Sequence, residues 1–133
     1  VLYFFYGRKK QKEYSYPTIK ELEGYKKEII NVLNIKQSYL QPDFTMNALA
    51  IETGIEKRNL AYFFDYYIHK DFVQLIAEYR IGYALKLMQQ DGVSYTLEAI
   101  ANECGYRSRA SFNKYFQQIT GLLPSQYIAL LKK

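Results

Sequence analysis

Thr45-Met46-Asn47-Ala48-Leu49-Ala50-Ile51-Glu52-Thr53-Gly54 and, 51 positions later, Thr96-Leu97-Glu98-Ala99-Ile100-Ala101-Asn102-Glu103-Cys104-Gly105 are two copies of one pattern. Thr aligns with Thr, Leu49 with Ile100, Ala50 with Ala101 and Gly54 with Gly105. Beyond the glycines the offset becomes 52, pairing Leu60 with Phe112, Phe64 with Phe116, His69 with Gly121, Leu75 with Tyr127 and Ile76 with Ile128. The second copy therefore has one extra residue in its turn. Agreement sustained in one frame is the mark of a structural repeat. Each copy reads as a short helix, a tight turn and a second helix. Ala50 and Ala101 are small, as a closely crossing helix requires. Gly54 and Gly105 stand where the chain must leave the first helix at positive φ. Leu60, Phe63 and Phe64 form the buried face of the next helix, and Phe112, Tyr115 and Phe116 do so in the second copy.

Working outward from the repeat, residues 72–89 read as one long helix with Leu75, Ile76, Tyr79, Ala84, Leu87 and Met88 among its apolar positions. At this spacing Tyr79 and Tyr83 belong to the core. Eighteen residues at 1.5 Å each span roughly 27 Å. Asp91-Gly92 is a stop and turn, and a last helix is expected from Pro124, a favoured first helical position, to Leu131. Upstream, Thr18-Ile19-Lys20-Glu21 has capping-box form. Ile19, Leu22, Ile29, Val32 and Leu33 recur at helical spacing through to about residue 35, and Gly24 weakens that helix without ending it. Thr45 is a good N-cap for the helix from Met46. The expected fold is all-α: about seven helices, in two helix-turn-helix subdomains joined by a long linker helix and preceded by a short arm. The expected boundaries are an arm at 1–17 and a double helix-turn-helix domain at 18–133. Within that domain the first unit is 18–71, the linker 72–89 and the second unit 94–133.

Composition agrees with a folded domain. The chain has 133 residues, 49% of them apolar, with only seven Gly and three Pro. That excludes a disordered or collagen-like chain. One Cys excludes an internal disulfide, and one Cys with one His cannot make a tetrahedral zinc site, so neither metal nor cofactor is expected. No triad, phosphate loop or catalytic carboxylate pair can be assembled, so the chain does not read as an enzyme. Cys104, with no His or second Cys beside it by pattern, reads as an inert buried thiol.

The net charge is +5 and the pI near 9.1. A helix-turn-helix presents the outer face of its second helix to the DNA major groove. In the first unit the outward positions are Lys57, Arg58, Asn59, Ala61, Tyr62 and Asp65; in the second they are Arg107, Ser108, Arg109, Ala110, Asn113, Lys114 and Gln117. Arg pairs bidentately with guanine, and Asn or Gln with adenine. The second set has no acid. Residues 94–133 carry net charge +3 and residues 45–93 carry −1, so the second unit is expected to supply more of the salt-dependent attraction to phosphate. The DNA-binding residues expected from these faces are Lys57, Arg58, Asn59, Ala61, Tyr62, Arg107, Ser108, Arg109, Asn113 and Lys114. The expected partner is double-stranded promoter DNA, with no small-molecule ligand. The alternative is a helical protein-interaction module without specific DNA binding, its surface the acidic-leaning first unit.

The paired Ala-x-x-x-Gly units, with Gly105-Tyr106, Phe112, Phe116, Gly121, Pro124 and Tyr127 in the second, resemble the DNA-binding domain of AraC/XylS-type transcriptional regulators over residues 38–133. Arg80, Ala84 and Leu87 suit that family's linker pattern. The resemblance implies seven helices, promoter binding, usually activation, and contact with RNA polymerase. The sequence departs from the pattern at Tyr106, at Ala110-Ser111 and at Lys114, at His69 in place of a helix-ending Gly, and at Ala61 and Tyr62, where relatives often carry polar contacts. The last pair weakens base reading by the first unit. The opening Val1-Leu2-Tyr3-Phe4-Phe5-Tyr6 is too short to span a bilayer. With Arg8-Lys9-Lys10 after it, the run has the order of a truncated span's cytoplasmic end or of a stray hydrophobic arm. It resembles the junction in Bacteroidetes-type relatives, which implies a cytoplasmic domain whose parent is anchored in the inner membrane by a missing upstream segment. The basic run from Arg8 to Lys12 reads as a solvated linker, or as a binder of phosphate or anionic lipid.

Overall fold

The computed structural model describes residues 13–90 and 95–132, and the described residues are all-α with no strand. Helix α1 (Ile19–Ile30) starts at the expected capping box: the Glu21 amide donates to Thr18 Oγ1 and the Thr18 amide to the Glu21 carboxylate, both at 3.1 Å. It widens into a π-turn over Asn31–Lys36 and stops where Gln37 takes φ 55°. Leu22, Ile29, Val32 and Leu33 are buried. Ile19, expected on the same face, is 71% exposed because it lies in the first turn, beyond the reach of the core.

The first unit continues with α2 (Met46–Thr53), capped by Thr45, and α3 (Lys57–Tyr62), which widens into a π-turn over Phe63–Tyr67. Gly54 ends α2 at φ +73°, as its position required. His69 sits at φ +51°, a left-handed conformation that His tolerates better than most side chains. The linker helix α4 (Phe72–Gln89) has the expected bounds and is capped by Asp71, which accepts from the Gln74 amide at 3.1 Å. The second unit contains α5 (Leu97–Glu103), capped by Thr96, then α6 (Arg109–Thr120) and α7 (Pro124–Leu131). These are seven α-helices among the described residues. The expectations for the opening apolar run, for the basic run from Arg8 to Lys12 and for the Asp91-Gly92 turn fall on residues 1–12 and 91–94, outside the described ones.

Two cores form, and α4 belongs to both. Its first half puts Phe72 and Ile76 into a cluster with Leu22, Ile29, Leu33, Leu49, Leu60, Phe63 and Phe64. Its second half puts Ile81 and Ala84 into a cluster with Ile100, Ala101, Cys104, Tyr106, Phe112 and Phe116. Tyr79 and Tyr83 are half-buried against these cores, as their spacing suggested. Arg80 lies at the seam, buried at 9% exposure. Its Nε donates to the Tyr39 carbonyl at 2.7 Å and its guanidinium to the Gln41 carbonyl at 2.9 Å, while the group lies 5.1 Å from the Tyr106 ring centre. One cation thus holds a loop of the first unit, the linker helix and the turn of the second unit together. Gly105 sits in the same seam at φ +100°; a Cβ there would lie 2.9 Å from Arg80 Nε, 2.9 Å from the Tyr39 oxygen and 3.1 Å from the Leu40 oxygen. No helix among the described residues is long and apolar enough to cross a membrane.

Candidate nucleic-acid interface

The second unit builds its outward face from the turn after Gly105. Tyr106 is buried, stacked on Tyr115 at 5.7 Å, and this anchors the turn while Arg107 stays exposed. Ser108 is the N-cap of α6, its hydroxyl accepting from the Ser111 amide at 3.1 Å. With its oxygen so used, Ser108 shapes the helix start. Phe112 and Phe116 turn into the core with no exposed surface. The 3.6-residue period then leaves Arg109, Ala110, Lys114 and Gln117 outward. Lys114 Nζ lies 5.3 Å from the Tyr115 ring centre. Asn113 is half-buried, with its Oδ1 enclosed and without a protein hydrogen-bond partner among the described residues. Turning that side chain outward therefore gives up no protein hydrogen bond. Arg107, Ser108 and Arg109 also border a shallow hollow with Glu98, Ala101 and Asn102.

The first unit is different. Lys57 and Arg58 are exposed on α3 and Asp65 on the π-turn that follows it, while Ala61 and Tyr62 are half-buried. Asn59, expected outward, is half-buried and occupied at both ends of its amide. Tyr14 donates its hydroxyl to Asn59 Oδ1 at 2.7 Å, and Asn59 Nδ2 donates to the Tyr25 hydroxyl at 3.2 Å. The Arg58 guanidinium lies 4.7 Å from the Tyr14 ring centre. Tyr16 packs on Tyr62 at 5.2 Å, and Tyr62 on Tyr66 at 5.1 Å. The segment before α1 therefore lies on the outer face of α3. The residue pattern gave no sign of this, because helical periodicity reports which face is outward and not what a non-periodic arm lays on it.

The largest shifts in titration lie in the second core. Burial pushes the Cys104 thiol up to about 12, with the nearby Arg80 charge opposing. Burial likewise raises the Tyr106 phenol far above its ordinary range. Both groups stay neutral near pH 7, as an inert thiol and a structural phenol do. No group of His, Cys, Asp and Glu among the described residues is arranged to hold a metal ion.

A family model described as a helix-turn-helix domain matches residues 49–129. Among curated proteins, none matches the chain. Several solved structures are similar. The C-terminal domain of the two-component response regulator yesN from Fusobacterium nucleatum superposes with TM-score 0.66 at 22% identity, covering 77% of this chain and 97% of that one. The C-terminal domain of AraT, a response regulator from Geobacillus stearothermophilus, gives TM-score 0.67 at 20% identity, over 77% of this chain and 84% of that one. The DNA-binding domain of AdpA, a global transcriptional factor solved in complex with a target DNA, gives 0.66 at 20% identity, over 80% of this chain and 90% of that one. At these identities the likeness is one of fold.

The AraC/XylS membership suggested by the motifs is corrected by these findings: the matching model is that of a helix-turn-helix domain, and two of the similar structures are response-regulator domains. The reason lies in what the motif residues do. Ala101 and Phe112 fill the core, Gly105 makes the turn and Pro124 starts a helix, tasks that any paired helix-turn-helix of this packing requires. With residues 49–129 matched across both units, this chain belongs to the helix-turn-helix domain family.

Proposed function

We propose that this chain is a sequence-specific DNA-binding regulator of transcription, whose second unit carries most of the affinity. The observation behind this reading is the outer face of α6: Arg107, Arg109 and Lys114 are exposed, no acidic side chain pairs with them among the described residues, and α6 itself contains no acid. Such a face gains from counterion release at phosphate and offers Arg to base edges. The capped start of α6 adds backbone amides where a phosphate would lie. AdpA, of similar fold, was solved on a target DNA. We take 18–71 as the first unit, 72–89 as the linker and 94–133 as the second, with Lys57, Arg58, Asn59, Ala61 and Tyr62 as the first unit's reading set. Residues Arg107, Ser108, Arg109, Asn113 and Lys114 form that of the second. The linker's 18 residues span roughly 27 Å, of the same order as the 34 Å major-groove repeat. At a promoter, contact with RNA polymerase is the finer reading, checked by in vitro transcription with purified polymerase.

The test is selection of bound duplexes from a random pool, followed by protection mapping and salt titration. Arg109→Ala is expected to reduce discrimination between selected and random duplexes by about 1–3 kcal/mol. Lys114→Ala should weaken all sequences and lower the salt slope by about one unit. Duplex binding that is absent, or insensitive to salt, would reject this function and favour the protein-interaction module.

A further inference from the structure

We propose that Glu13–Pro17 is a removable strap over the reading helix of the first unit, which duplex DNA must lift before α3 can enter a groove. This rests on the DNA-binding function proposed above. The strap's contacts on α3 fall on Arg58, Asn59 and Tyr62, three residues of the candidate reading set. Arg58 stacks on Tyr14, Asn59 accepts from the Tyr14 hydroxyl, and Tyr62 packs on Tyr16. Tyr14 and Tyr16 also pack edge to face at 5.1 Å, so they act as one two-ring cover.

Size makes the cover and the groove mutually exclusive. A helix with its side chains is about 10–12 Å across and the major groove is about 12 Å wide. That leaves no room for a further layer of two phenol rings between α3 and the base edges. Chemistry gives the same result, since the Asn59 amide is already engaged at both ends. The strap is also built to come away. It has no helix or strand of its own, Tyr16 is 66% exposed, and a single hydrogen bond, Tyr14 to Asn59, ties it to α3 among the described residues. Segments with few buried contacts open at low free energy. Among the described residues the α6 face shows no comparable cover: no segment outside α6 stacks on or hydrogen-bonds to the side chains of Arg107, Arg109 or Lys114, and the one ring near them, Tyr115, belongs to α6 itself. The two units therefore differ in readiness: the second is open and the first is masked.

The experiment uses the full chain and the duplex recovered by selection. In the free chain, NMR should show cross-peaks between the Tyr16 and Tyr62 rings, and saturating duplex should abolish them. Tyr14→Ala with Tyr16→Ala should bind the duplex about three- to tenfold more tightly, as removal of a mask populated at roughly 70–90% requires. Tyr14→Phe, which keeps the ring and drops the hydroxyl, should show a smaller gain and serves if melting shows the double variant unfolded. Missing cross-peaks in the free chain, cross-peaks that survive in the complex, or variants that bind equally or more weakly would each overturn the strap. Weaker binding would identify the arm as a DNA contact instead. Absence of salt-dependent duplex binding by the unaltered chain would sink the DNA-binding function along with the strap, whereas the other failures sink the strap alone.

Discussion

Gly54 and Gly105 occupy the same position of the repeat, and replacing each by Ala separates local backbone strain from packing between units. Both have positive φ, +73° and +100°, so each Ala incurs roughly 1–2 kcal/mol for a left-handed L-residue. Their surroundings differ. A Cβ at Gly54 meets nothing within 4 Å. A Cβ at Gly105 would press on Arg80 Nε and on the Tyr39 and Leu40 carbonyl oxygens at 2.9–3.1 Å. Two of those three atoms are backbone and cannot swing aside. Overpacking of this kind adds about 1–3 kcal/mol. Gly105→Ala should therefore lose roughly 2–5 kcal/mol and Gly54→Ala roughly 1–2 kcal/mol. At about 3–5 °C per kcal/mol for a chain of this length, thermal melting by circular dichroism should place the Gly105 variant at least several degrees below the Gly54 variant. Because the clash lies in the seam, the Gly105 variant should also lose the single cooperative transition, with the two cores melting apart. Equal melting points, or a lower one for Gly54→Ala, would show that Gly105 is only a turn residue and that the seam does not couple the units.

Arg80→Met keeps much of the side-chain volume but strips the buried Tyr39 carbonyl and the part-buried Gln41 carbonyl of a charged donor, and should cost about 2–4 kcal/mol in urea unfolding; Arg80→Lys, without the planar fork, should recover only part of this. The Tyr106 hydroxyl is buried without a protein partner among the described residues, so Tyr106→Phe should leave the urea midpoint unchanged or raise it by the equivalent of about 1 kcal/mol. Native chain at pH 8 should leave Cys104 untouched by a thiol reagent and yield it fully in denaturant. A folded-state value raised to about 12 gives the neutral thiol a stabilising advantage that is complete below the unfolded value. Stability should accordingly fall as pH rises from about 9 toward 12, because only the unfolded chain releases that proton. A flat profile over that range would contradict the burial.

Much of the fold could be read from the order of residues because its determinants are local. Thr18 with Glu21, Thr45 and Thr96 act on amides three positions from themselves, and Pro124 presets the φ of its own first helical position. The apolar spacing of 72–89 reports a helix whatever it later touches, and the positive φ of Gly54 and Gly105 follows from their place in the turn. The outward face of α6 was legible for the same reason, since Phe112 and Phe116 point inward and periodicity assigns the rest. Family membership was less legible, because the conserved-looking positions are the ones that packing and turn geometry demand of any such pair of units.

Only the tertiary structure decided how the two units are joined and which outward helix face is covered. Arg80 looks in the chain like one more cation on a helix; 41 positions separate it from the Tyr39 carbonyl that accepts its Nε–H. Tyr14 lies 45 positions from Asn59, and no periodicity links an irregular arm to a helix that far along the chain. Contacts of this range depend on loop closure and on the shape of two finished cores. A local pattern can say that a side chain faces outward, and only the folded chain says what lies against it.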